Sequence, residues 1–144
     1  MSQPEAQPST RVLVVDDEAE IRRFVTRTLR EAGYAADDAD SGAEALKKFA
    51  GGEQFGLVIT DVRMPSMSGP QFVEHLARSA HDIKILYLTG YNDQLFKEKG
   101  TLWADEAYLD KPCSVKGLLE AVSMLIYGRL EPGHRPAPSH EWLQ

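Results

Sequence analysis

The chain of 144 residues has one cysteine, Cys113, so no internal disulfide can form. That agrees with a reducing compartment. Cys113 follows Pro112 near an expected helix start, where a thiol can become more acidic. A partly buried structural thiol is nevertheless the favoured reading. No apolar run approaches the length needed to span a bilayer. Residues 1–10 are polar, carry Pro4 and Pro8, and lack the apolar core of a secretory signal. A soluble, cytoplasmic protein without membrane insertion is expected. Basic clusters are also missing: 16 Lys and Arg against 22 Asp and Glu give a formal charge of −6. That balance argues against direct nucleic-acid binding. Arg22-Arg23 and Lys47-Lys48 are isolated pairs that read as solvated helix faces. His75, His81, His134 and His140 are scattered without zinc-motif spacing and read as surface or tail residues.

What the chain does have is an alternation of short apolar runs with longer helical ones. Arg11 to Asp16 contains four consecutive branched apolar residues, the pattern of a strand buried on both faces. Glu18 to Glu31 switches to helical spacing, with Ile21, Phe24, Val25, Thr28 and Leu29 on one stripe, and Gly33 stops it. Tyr34 to Asp38 is a weaker strand. Ser41 and Glu44 have capping-box spacing before a helix with Ala45, Leu46 and Phe49 inward, closed by Gly51-Gly52. Phe55 to Thr60 is the third strand. Asp61 to Ser68 is a loop, and Gly69-Pro70 starts a helix that carries Phe72, Val73 and Leu76 inward. Ile83 to Leu88 and Glu106 to Asp110 are further strands, with a helix expected over Tyr91 to Lys99 between them. Ser114 caps a last helix with Leu118, Val122, Leu125 and Ile126 on its buried stripe. Five strands alternating with five helices predict a doubly wound α/β sandwich over residues 11–127. Residues 1–10 are expected to be a flexible segment. Residues 128–144, with three prolines, are expected to be a mobile tail or linker.

Acidic residues collect where these strands end: Asp16-Asp17, Asp61, and Asp110 beside Lys111. In a parallel sheet those ends lie side by side, and carboxylates held together there repel unless a cation neutralises them. Oxygen donors suit a hard ion, and a small site suits Mg2+, with Lys111 as a second positive charge. A dinucleotide or P-loop site would need glycines after the first strand; Asp16-Asp17-Glu18 stands there instead. Plain helix capping by Asp16 and Asp17 is the bland alternative. It is weakened by Asp61, Thr89 and Lys111, each at the end of a different expected strand.

Four pieces occur in order after the expected strands: Val14-Val15-Asp16-Asp17-Glu18, residues 60–69 from Thr60 to Gly69, Leu88-Thr89-Gly90, and Tyr108-Leu109-Asp110-Lys111-Pro112. Together they resemble the receiver domain of two-component response regulators over about residues 11 to 127. The resemblance implies a flavodoxin-like (βα)5 fold with strand order 2-1-3-4-5 and a phosphoaspartate at Asp61. It further implies Mg2+ held by Asp17, Asp61 and the backbone carbonyl of Arg63, with Asp16 acting through metal-bound water. Lys111 and Thr89 would hold the phosphoryl group, and Thr89 with Tyr108 would form a switch remodelling the face around the Tyr91–Lys99 helix and the fifth strand. Pro112 would follow a cis peptide. The donor would be a phosphohistidine on a sensor histidine kinase or histidine phosphotransfer protein, and a downstream protein effector would read the result. Such a module assists its own phosphorylation and dephosphorylation but is not an enzyme acting on a free substrate.

Alternatives remain at this level. Tyr108 also reads as an ordinary strand aromatic, and the whole chain as a phosphorylation-independent binding scaffold. A phosphoaspartyl hydrolase would need a second acid two residues beyond Asp61, where Arg63 stands. Arg63 and Tyr91 are expected to overhang the phosphoryl site and slow dephosphorylation. Leu102-Trp103 reads as satellite core rather than a partner-binding patch. The sequence is compatible with a stand-alone receiver or with one cut from a longer protein such as a hybrid kinase.

Overall fold

Val12, Leu13, Val14 and Val15 are all fully buried, as befits the centre of a sheet covered on both faces. They form β1 (Arg11–Val15) in a computed structural model that describes residues 10–79, 82–90, 106–111 and 113–128. The other elements among the described residues are α1 (Ala19–Glu31), β2 (Ala35–Ala39), α2 (Gly42–Ala50), β3 (Leu57–Asp61), α3 (Gly69–Ala77), β4 (Lys84–Thr89), β5 (Glu106–Asp110) and α4 (Val115–Tyr127). The strands pair in parallel in the order β2-β1-β3-β4-β5, as the resemblance implied. The helix expected over Tyr91–Lys99, Leu102-Trp103, Pro112 and both tails lie outside the described residues.

Alternating side chains sort the sheet into two cores. Val12 and Val14 join Ile59, Leu86 and Leu88 against Val25 and Leu29 of α1 and Leu118, Ala121 and Val122 of α4. Leu13, Val15, Val58 and Tyr87 pack on the other face with Ala45 of α2 and Phe72 and Leu76 of α3. β2 has neither Val nor Ile, yet residue-by-residue pairing from Arg11↔Ala35 to Val15↔Ala39 holds it at the edge. Arg22 reaches Asp38 at 3.2 Å and Lys48 reaches Asp37 at 3.5 Å beside it.

Several local readings shift. β3 and β4 each end one residue later than expected, placing Asp61 and Thr89 inside the ladder. Phe24 is 36% exposed, because the buried stripe of α1 turns toward Thr26, whose hydroxyl is satisfied by the Arg22 carbonyl at 2.6 Å. At α2, Ser41 Oγ accepts from the Glu44 amide, but the Glu44 carboxylate accepts from Asp40 rather than closing the box on Ser41. Among the described residues a complete capping box is found at α3: Ser68 Oγ accepts from Gln71 N–H at 3.2 Å, and Gln71 Oε1 accepts from Ser68 N–H at 2.9 Å. Cys113 packs against the first core, and burial raises its thiol above the ordinary value despite Lys111 nearby.

Candidate functional site

Parallel pairing brings the carboxyl ends of β1, β3, β4 and β5 to one edge. Register sets Val15 beside Thr60 and Thr89 beside Asp110. The next residue after β1 is Asp16, and Asp61 ends β3. One carboxylate oxygen from each of Asp16, Asp17 and Asp61 falls within 4.8 Å of the others, with Asp17 exposed and the other two buried.

Asp16 is the most constrained member. Its amide donates to the Ala39 carbonyl at 3.2 Å, and its own carbonyl accepts from Arg22 Nη1 at 2.7 Å. Oδ1 accepts from the Glu18 amide at 2.9 Å. Oδ2 is buried without a hydrogen-bond donor, and Lys111 Nζ stands 3.4 Å away. Burial raises the Asp16 carboxyl above its ordinary value, partly offset by the Glu18 amide and by Lys111.

The residue after Asp61 is held at both ends of its backbone. The Val62 amide donates to the Leu88 carbonyl at 3.1 Å, and the Gly69 amide returns to the Val62 carbonyl at 2.8 Å. A Cβ added at Gly69 would overlap the Asp61 carbonyl oxygen, so only glycine lets α3 start this close to the acidic strand end. The Asp61 carboxyl is pushed up to about 6, first by burial and then by the Asp16 charge, against Lys111 and the Arg63 backbone amide.

Lys111 faces three carboxylates: Asp61 Oδ1 at 3.2 Å, Asp16 Oδ2 at 3.4 Å and Glu18 Oε1 at 3.4 Å. Burial alone would make the ammonium easier to deprotonate, but Asp16 and Asp61 outweigh it and raise its pKa. One ammonium does not balance this set. Two like charges about 4–5 Å apart still repel by about 3–4 kcal/mol at an effective dielectric constant near 20. The donors are all hard oxygens, and Asp16 Oδ2 lacks a hydrogen bond. The cluster therefore fits a divalent cation of the Mg2+ type and offers nothing to a soft metal.

Asp16, Asp17, Asp61 and Lys111 thus meet as expected, and Thr89 ends the neighbouring strand. The Thr89 hydroxyl donates to Asp110 Oδ1 at 3.0 Å, a partner the sequence reading did not assign. Tyr108 is half-buried on β5 and packs against the second core. Its phenol pKa is raised, first by burial and then by the Asp110 charge. Arg63 is exposed. Two further residues join the site. Arg22 is not a solvated face residue but ties Asp16 to Asp38, and Glu18 shares Lys111. Register between the expected ends of β4 and β5 would have found Asp110; no local signal marks Arg22. Among the described residues no helix is long and apolar enough to cross a membrane.

Residues 12–123 match the family model described as the response regulator receiver domain. The sensor kinase CckA of Brucella abortus is 36% identical over 120 residues, covering 82% of this chain and 13% of CckA. The response regulator receiver protein CpdR of the same organism is 28% identical, covering 81% of this chain and 96% of CpdR. The chain spans about half the length of several transcriptional regulators that it also resembles. The chemotaxis protein CheY4 of Vibrio cholerae superposes with a TM-score of 0.74 at 34% identity, covering 82% of this chain and 99% of CheY4. With that match over most of its length, and with the acidic strand edge that such a phosphoacceptor requires, this chain belongs to the receiver-domain family of response regulators.

Proposed function

We propose that Asp61 is the phosphoacceptor of this receiver, and that Asp17, Asp61 and the Arg63 backbone carbonyl hold Mg2+, with Asp16 acting through metal-bound water. The observation that carries this reading is the Lys111 ammonium bridging Asp61 and Asp16 beside the three-carboxylate cluster. An Asp61 oxygen attacks phosphorus, the bond from phosphorus to the donor imidazole breaks, and the imidazole leaves with a proton. Lys111 is positioned to offset the charge of the incoming phosphoryl oxygens, and then to hold the product. Mg2+, when bound, supplies the further positive charge that lets a carboxylate meet an anionic phosphoryl group. Thr89 donates its hydroxyl to a phosphoryl oxygen, and Tyr108 turns inward to complete the switch. Arg63, two residues beyond the acceptor, restricts the hydrolytic water, giving slow dephosphorylation.

The receiver occupies residues 11–127, in the cytoplasm. The similarity to a sensor kinase supports a histidine kinase or a histidine phosphotransfer protein as the donor class, with a protein effector downstream. Incubation with acetyl phosphate and Mg2+, followed by intact mass, tests the assignment. Wild type gains one phosphoryl group, and Asp61→Asn and EDTA-treated wild type gain none. Equal gain by Asp61→Asn rejects Asp61. No gain in wild type that binds Mg2+ favours a scaffold that no longer uses phosphorylation.

A further inference from the structure

Thr89 has one hydroxyl proton, and in this structure Asp110 holds it. The bond is 3.0 Å, from a residue only 4% exposed to an acceptor on the adjacent strand. The two residues are register partners at the ends of β4 and β5, and the Lys111 amide donates to the Thr89 carbonyl at 2.8 Å. The Thr89 backbone is thus fixed, leaving the side chain as the part free to reorient. A hydroxyl donates one strong hydrogen bond at a time. It cannot serve Asp110 and a phosphoryl oxygen together.

We propose that Asp110 is a positioning residue that latches Thr89, so that the hydroxyl reaches a phosphoryl group on Asp61 only by breaking its bond to Asp110. The latch rests on the assignment of Asp61 and Thr89 made above, and adds the group that opposes them. Asp110 and Tyr108 are two residues apart on one strand and therefore share a face. Release of Asp110 accordingly occurs on the same face as the proposed movement of Tyr108. An anionic acceptor binds a hydroxyl more strongly than a neutral one, which makes the competition appreciable. Asp110 biases the unphosphorylated protein toward its resting form and sets how much of the phosphoryl binding energy reaches Tyr108.

The test is a double-mutant cycle read by beryllofluoride, a tetrahedral phosphoryl mimic that bonds to a carboxylate oxygen, titrated with Mg2+ in excess. Asp110→Val frees the hydroxyl and tightens the apparent Kd by about tenfold, the scale of one charge-assisted hydrogen bond partly exposed to water. Asp110→Asn keeps the shape and a weaker acceptor, and tightens it by about threefold. In a Thr89→Val background neither change at Asp110 has an effect. Equal tightening with and without the Thr89 hydroxyl means that Asp110 acts only by charge repulsion and overturns the latch. Weaker binding by Asp110→Asn overturns it too, and that isosteric variant decides the matter if Asp110→Val misfolds. Failure of wild type to bind the mimic sinks the Asp61 assignment and the latch with it, whereas binding that Asp61→Asn abolishes, with additive effects at 89 and 110, sinks the latch alone.

Discussion

Replacing Asp61 by Asn should stabilise the metal-free protein at neutral pH, although it removes an ion pair of 3.2 Å with Lys111. The wild-type carboxyl is held at about 6 against an ordinary 3.8, because burial and the Asp16 charge together outweigh Lys111. Below pH 3.8 the folded and unfolded chains both keep the proton, and Asp61 has no effect on stability. Between about pH 4 and 6 the unfolded chain loses its proton while the folded chain keeps it, so stability falls as pH rises. Above about 6 the loss is complete, and the gap between the two values amounts to at most about 3 kcal/mol. Asn removes that penalty but leaves Lys111 with one buried partner fewer, so a net gain of about 1–2 kcal/mol is expected. Urea unfolding at pH 4.5 and 7.5, with and without Mg2+, measures it. Asp61→Asn should unfold at higher urea than wild type at pH 7.5 without metal, and at equal or lower urea at pH 4.5. Mg2+ should raise the wild-type midpoint and barely move the mutant. A mutant less stable than wild type at pH 7.5 without Mg2+ would show that Lys111 already balances the cluster, and the case for a cation would fail.

Three other substitutions probe the supports of the site. Gly69→Ala gains up to about 1 kcal/mol of helix propensity, but its methyl overlaps the Asp61 carbonyl oxygen. The overlap should dominate, with a net loss of about 2–4 kcal/mol in urea unfolding and slower phosphorylation by acetyl phosphate. Lys111→Met leaves Asp16 and Asp61 facing each other without a counter-charge; it should lose about 2–4 kcal/mol at pH 7.5, part of it restored by Mg2+. Arg22→Met breaks the 2.7 Å bond to the Asp16 carbonyl and the 3.2 Å contact with Asp38. It should cost about 1–2 kcal/mol and weaken Mg2+ binding, read by calorimetry, without abolishing phosphorylation.

Much of this could be read before any coordinates, for reasons that differ from one element to the next. β1 was plain because four consecutive apolar residues have no polar side to expose, and all four are buried. β2 was weak because its strand character comes from pairing with β1, a non-local contact that propensity does not contain. The face of α1 is not legible at Phe24, because a threonine that satisfies its own hydroxyl within the helix can be buried in place of an aromatic. The acids and Lys111 were legible as strand-end residues, since a parallel sheet turns that shared sequence position into proximity. The roles of Arg22, Glu18 and Asp110 are not legible in the sequence, because the direction of a long or short polar side chain depends on neighbours that only the folded edge supplies.

Those three residues share a property that bears on how such a site works. Each consumes a hydrogen-bonding or charge capacity that the proposed active groups would otherwise leave open: Arg22 takes the Asp16 carbonyl, Glu18 shares Lys111, and Asp110 takes the Thr89 hydroxyl. Asp16 Oδ2 is buried and accepts no hydrogen bond among the described residues. An edge arranged this way concentrates negative charge, which a bound cation would have to offset before an anionic phosphoryl group could approach. The two exposed acids, Glu18 and Asp110, hold their partners through bonds open to water, which an incoming anion can displace. Lys111 and Thr89 are therefore restrained in the resting protein yet able to change partners, as a module that must respond to one added phosphoryl group requires.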